Sequence, residues 1–119
     1  MKKSLYQFIE ETKGKKIDVP WKSKNDLKGE CVSLIQQYAS QCLNQPAKPR
    51  GHAVDWIKSY VNEGLGHTVS DQKTGDIIVF PKEAQGKGHI AIYVDGKLYD
   101  QNNLRAEVLK YKEKYDTVI

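Results

Sequence analysis

The chain has 119 residues, 39% of them apolar and 29% charged, which suits one globular domain with a modest core and excludes a disordered chain. No apolar run approaches the ~18 residues of a membrane-spanning helix, and Met1 to Glu10 lacks the apolar stretch of a secretion signal. The net charge of +4, from 19 Lys+Arg against 15 Asp+Glu, is mild and dispersed. It reads as solvated surface, or as attraction to an anionic polymer such as cell wall or nucleic acid. No aromatic residues recur on a basic face, so a nucleic-acid stacking platform finds no support.

In chain order, Ser4 to Thr12 predicts a short helix with Leu5, Phe8 and Ile9 inward, Ser4 as N-cap and Gly14 as its stop. Ile17 to Trp21 reads as extended or looped, because the residue before Pro20 avoids the helical region. Asn25 to Gly29 is turn-like. The main helix is expected from about Glu30 to Leu43, with Cys31, Ile35, Tyr38, Ala39 and Cys42 on one face at helical spacing. Asn44 to Pro49 ends it in a stiff connector. A second helix is expected from about Gly51 to Glu63, with Ala53, Trp56, Ile57, Tyr60 and Val61 as its apolar stripe and Gly64 and Gly66 as its stop.

The pattern then changes from helical to strand-like. Ile77 to Phe80 reads as a buried strand closed by Pro81. His89 to Val94 and Lys97 to Asn102 flank Asp95-Gly96, the strongest short-range hairpin signal. Glu107 to Lys114 fits helix or strand, and Tyr115 to Ile119 reads as a terminal strand. Helices first and strands after argue an α+β fold, with the helices on one face of an antiparallel sheet.

Cys31 is expected in the first turn of the main helix, where free N–H groups and the helix dipole favour a thiolate. The plainer reading is a small buried hydrophobe. On one helix Cys31 and Cys42 would lie roughly 16 Å apart at ~1.5 Å per residue, too far for a disulfide. Both thiols are therefore expected to be free, as in a reducing compartment. The two cysteines and three histidines lack zinc-ligand spacing.

A two-residue turn at Asp95-Gly96 pairs Val94 with Lys97, Tyr93 with Leu98 and Ile92 with Tyr99. Alternation then puts His89, Ala91, Tyr93, Leu98, Asp100 and Asn102 on one face, and Ile90, Ile92, Val94 and Tyr99 on the other. His89 can reach Asn102 directly or Asp100 on the diagonal. Small Ala91 leaves room for the Cys31 helix to pack on that face, which would join thiol, imidazole and an orienting group as in acyl transfer. His52 and His67 have no acid on a shared face. Asp76 reads as a turn former.

Four segments together resemble the CHAP family of cysteine- and histidine-dependent amidohydrolases/peptidases: Gly29 to Ile35, Gly75 to Phe80, Gly88 to Val94, and Asp100-Gln101-Asn102. The resemblance implies a papain-like α+β domain over 1–119, as a whole protein or a module of a longer lysin. It implies Cys31 as nucleophile and His89 as base, with Asp100 or Asn102 orienting the ring. It also implies peptidoglycan as the partner, and action as a monomer, with or without a separate wall-binding domain. Such enzymes occur in phage endolysins and tail lysins, which points to the host cytoplasm before release or to a phage particle. Asp100 stands where the family often has Glu, and Glu30 where Gln is common. A carboxylate beside the sulfur disfavours its ionisation unless it points to solvent. Some members bind calcium through an Asp-x-Asp loop. Here Pro20 follows Asp18 at that spacing, so no calcium site and no cofactor are expected. The rival reading is a non-catalytic wall-binding or interaction module on the same fold.

Overall fold

The computed structural model describes residues 2–21, 30–82, 84–102, 105–110 and 116–118, with 84, 102, 105–110 and 116–118 described as backbone only. Its first helix is α1 (Leu5–Thr12), capped by the Ser4 hydroxyl, which accepts from the Gln7 N–H at 3.1 Å. Phe8 is fully buried, and Leu5 and Ile9 pack partly against the core. The expected turn at Asn25 to Gly29 lies outside the described residues.

Helix α2 (Cys31–Gln41) starts one residue later than expected, with Glu30 as its N-cap. Its buried arc is also wider than the predicted face, because Ser33, Leu34 and Gln36 are buried beside Ile35, Tyr38 and Ala39. The connector after the helix explains the extra width. Gln36 Nε2 donates to the Lys48 carbonyl at 2.6 Å and so ties the connector across the helix. Asn44, at φ +53°, turns the chain out of the helix.

The expected second helix is a 3-10 turn (Ala53–Asp55) followed by α3 (Trp56–Asn62). Trp56 and Tyr60 are core residues, and Arg50 stacks over both rings at 5.7 and 5.0 Å. Val61 departs from the predicted stripe and is 47% exposed. Seven residues make two turns, so the buried arc covers only Trp56 and Tyr60, one turn apart.

Among the described residues six strands form one antiparallel sheet: β1 (Thr68–Val69), β2 (Ile77–Phe80), β3 (His89–Val94), β4 (Lys97–Asn102), β5 (Arg105–Lys110) and β6 (Asp116–Val118), in the order β1-β6-β2-β3-β4-β5. β1 carries no apolar run and was not expected from its sequence. It exists because β6 offers it an edge, pairing Thr68 with Val118. Of the ambiguous stretch Glu107 to Lys114, residues 107–110 are strand within β5, which pairs along all of β4, and 111–114 lie outside the described residues. Between β3 and β4, Asp95 and Gly96 both take positive φ, at +49° and +82°, the geometry of a tight hairpin turn. The ladder is the expected one: Ile92↔Tyr99, Tyr93↔Leu98, Val94↔Lys97.

One expectation is corrected. The body of α2 does not pack on the His89 and Ala91 face. Leu34, Ile35 and Tyr38 join Ile77, Val79, Ile90, Ile92, Val94 and Tyr99 in one cluster. Ile78, Phe80, Ala91 and Leu98 form a second, smaller cluster on the opposite face. The physical reason is area. Each fully buried Ile or Leu gains about 1.5–3 kcal/mol, and the Ile90-Ile92-Val94 row offers far more apolar surface than Ala91. The helices are thus on one face of the sheet, on the side opposite to the one expected.

Candidate active site

His89 is the first residue of β3 and Asp100 lies near the end of β4. Side-chain parity puts both on the face of Ala91 and Leu98. There His89 Nε2 lies 2.5 Å from Asp100 Oδ2, with Asp100 fully buried. The shorter carboxylate still reaches the ring. Phe80, the ladder partner of His89, supports the imidazole from one side, with ring centroids 6.1 Å apart and planes at 29°.

Cys31 opens α2 and is half-buried. Although the helix body packs on the other face, its first residue comes near the first residue of β3, close enough for the Cys31 side chain to act on the His89 ring and raise its pKa. With Nε2 taken by the carboxylate, Nδ1 is the ring nitrogen left for sulfur. Glu30, just before Cys31, is exposed. That exposure leaves its charge open to screening by solvent.

The electrostatics of the ring follow from these neighbours. Burial is the largest single influence and pushes the His89 pKa down. The hydrogen bond to Asp100 and the nearby Cys31 side chain, with the negative charge of both, overrule it and lift the ring from 6.5 to about 9. At neutral pH the imidazole therefore holds its proton, between a carboxylate and a sulfur.

The remaining candidates separate cleanly. Asn102 ends β4 and pairs through its backbone with Arg105, and its side chain lies outside the described atoms. Asp100 is bonded to His89. His52 and His67 are exposed, and among the described residues neither imidazole pairs with an acid. Asp76 accepts from the Lys73 N–H at 2.8 Å, as a turn former does. Asp18 accepts from the N–H of Val19, its own neighbour. Among the described residues no three His, Cys, Asp or Glu side chains converge as metal ligands, and no helix is long and apolar enough to cross a membrane.

Two contributors escaped the reading of the sequence. Phe80 looked like plain strand core, though the register that aligns β2 with β3 could have placed it beside His89. Gln101 looked like a spacer between two polar residues, and no local signal marks its partners.

A family model described as CHAP domain matches residues 21–102, a span that contains Cys31, His89, Asp100 and Asn102. No curated protein matches the chain.

Proposed function

The chain belongs to the CHAP family, whose members are generally hydrolytic cell-wall enzymes, and from that premise we propose that it cleaves an amide bond of bacterial peptidoglycan through Cys31. The observation that carries the proposal is an imidazole bonded to a buried carboxylate, Asp100, and lying near enough to the Cys31 sulfur to be acted on by it. Cys31 attacks the carbonyl carbon as a thiolate, forming the C–S bond. The oxyanion is held by backbone N–H groups of the first turn of α2. His89 gives its proton to the amine as the C–N bond breaks. It then takes a proton from water, which attacks the thioester and releases Cys31. Asp100 holds the ring and its charge throughout.

The finer reading is a phage lysin whose target is either the N-acetylmuramoyl-L-alanine bond or a peptide cross-bridge. Both bonds yield to the same chemistry, and mass spectrometry of digested wall fragments separates them by the new amine and carboxyl ends. The direct test is Cys31→Ala. It is expected to abolish loss of turbidity on purified walls while the circular dichroism spectrum and melting behaviour stay those of the parent chain. A folded Cys31→Ala variant that still clears walls refutes the nucleophile.

A further inference from the structure

We infer that Gln101 is a positioning residue, holding the lead-in to Cys31 at a set distance from the strand that carries Asp100. This rests on the proposed role of Cys31 and adds to it a residue that touches none of the reacting atoms.

Gln101 is fully buried. Its Oε1 accepts from the Ile17 N–H at 2.7 Å, and its Nε2 donates to the Ile17 carbonyl at 2.9 Å and the Glu30 carbonyl at 2.8 Å. Both amide protons are used, and a flipped amide would set donor against donor and acceptor against acceptors at all three contacts. The orientation is therefore unique. Glu30 is the N-cap of α2, and its carbonyl also accepts the first helical bond, from the Ser33 N–H at 3.1 Å. The third bond of Gln101 thus lands on the peptide unit that joins Glu30 to Cys31.

Alternation along β4 gives this bond its meaning. Asp100 points to one face and holds His89, and Gln101 points to the other and holds the start of the nucleophile helix. Two consecutive residues of one strand therefore set both partners of the thiol–imidazole pair. The Ile17 strap completes the clamp, because the next carbonyl, that of Asp18, accepts from Gln37 Nε2 of α2 at 3.1 Å. A misplacement of about 1 Å in such a pair costs on the order of 10²-fold in rate.

The test compares Gln101→Met, which keeps length and loses all three bonds, with Tyr99→Phe in the full chain. Tyr99→Phe removes the 2.5 Å hydroxyl contact with Thr12 from the same face of the same strand. Each variant is read by thermal melt, by kcat and KM on solubilised peptidoglycan, and by the rate at which iodoacetamide labels Cys31 across pH. Gln101→Met is expected to lower kcat about 10- to 100-fold with KM within about 2-fold. It is also expected to slow Cys31 labelling about 10-fold, because the sulfur is no longer held beside the imidazole. Tyr99→Phe is expected to lower the melting temperature and leave labelling unchanged. If Gln101→Met does not fold, Gln101→Asn is read the same way, since an amide one methylene short cannot span all three partners. A folded Gln101 variant with the parent's labelling profile, and with kcat falling no further than in Tyr99→Phe, overturns the inference. Labelling needs no substrate, so it judges Gln101 even if the parent chain proves inactive on walls, a result that would sink only the proposed function.

Discussion

The two ends of α2 carry the same side chain in opposite circumstances. At the first residue, Cys31 is half-buried and close enough to raise the pKa of an imidazole that is itself held by a buried carboxylate. Just past the last residue, Cys42 is only 6% exposed and bonded through sulfur to the Ser4 carbonyl at 3.7 Å. Burial pushes the Cys42 thiol up to about 11. One helix thus sets one thiol beside an imidazole and locks the other into packing. The lesson is that the neighbours decide. Near Cys42 lie Phe8, Tyr38 and other core residues of the same cluster. At Cys31 a strand end, a proton donor and solvent meet.

The largest effect expected is the contrast between removing each sulfur. Cys31→Ala should end wall hydrolysis, while Cys42→Ala should keep the parent's kcat/KM and lose about 1–2 kcal/mol of stability to a small cavity. Equal losses of activity from both, measured by turbidity and thermal melts, would erase the distinction. Labelling sharpens it. With its pKa near 11, Cys42 is ionised to about one part in 10⁴ at pH 7. Peptide mass spectrometry after brief iodoacetamide treatment should show Cys31 modified about 10²-fold faster or more. Equal, slow labelling would instead favour the non-catalytic wall-binding reading.

Asp100→Asn attacks the reactive end through its support. Without the carboxylate the His89 pKa falls from about 9 toward its ordinary 6.5. Activity should drop about 10²-fold or more, and the alkaline limb of the kcat/KM profile should move down in pH. The sign for stability follows from linkage. A pKa raised on folding stabilises fully below the unfolded value of 6.5 and is lost as pH rises through about 9. The parent should therefore lose on the order of 2–3 kcal/mol across that window, and Asp100→Asn should flatten the slope. Denaturant titrations at pH 6 and pH 9.5 would measure both, and a parent slope no steeper than the variant's would count against the charged pair.

Gly88→Ala tests the frame under His89. Gly88 sits at φ +85°, and a Cβ there would lie 2.6 Å from the Val54 backbone nitrogen. That nitrogen is already bonded to the Lys87 carbonyl at 2.9 Å. The added methyl must push the 3-10 turn off the start of β3, at about 2–4 kcal/mol, with weakened activity from a displaced ring. An unchanged melting temperature would show that the approach relaxes freely. The smallest effect belongs to Glu30→Gln. The side chain is exposed beside Cys31, so kcat/KM should stay within about 2-fold. A large gain would mean that the carboxylate faces the sulfur after all.

Local pattern carried much of this molecule. The Ser4 cap, the 3-4 spacing around Ile35 and Tyr38, and the Asp95-Gly96 turn each depend on residues within one or two turns of chain. Short-range sterics and hydrogen bonding suffice to read them. β1 and β5 were not so legible, because their strand state is supplied by the partners β6 and β4 rather than by an apolar run of their own.

The composition and order of residues determined that this is an α+β chain with Cys31 at a helix start and His89 and Asp100 on one strand face, since periodicity and turn geometry are properties of adjacent residues. Only the tertiary structure decided which sheet face took α2, that Asp100 is bonded to the ring, and that Gln101 ties Glu30 to β4. Those outcomes turn on competing buried areas and on contacts across some seventy residues of chain, as between Gln101 and Glu30. No window of sequence contains the energy that selects among them.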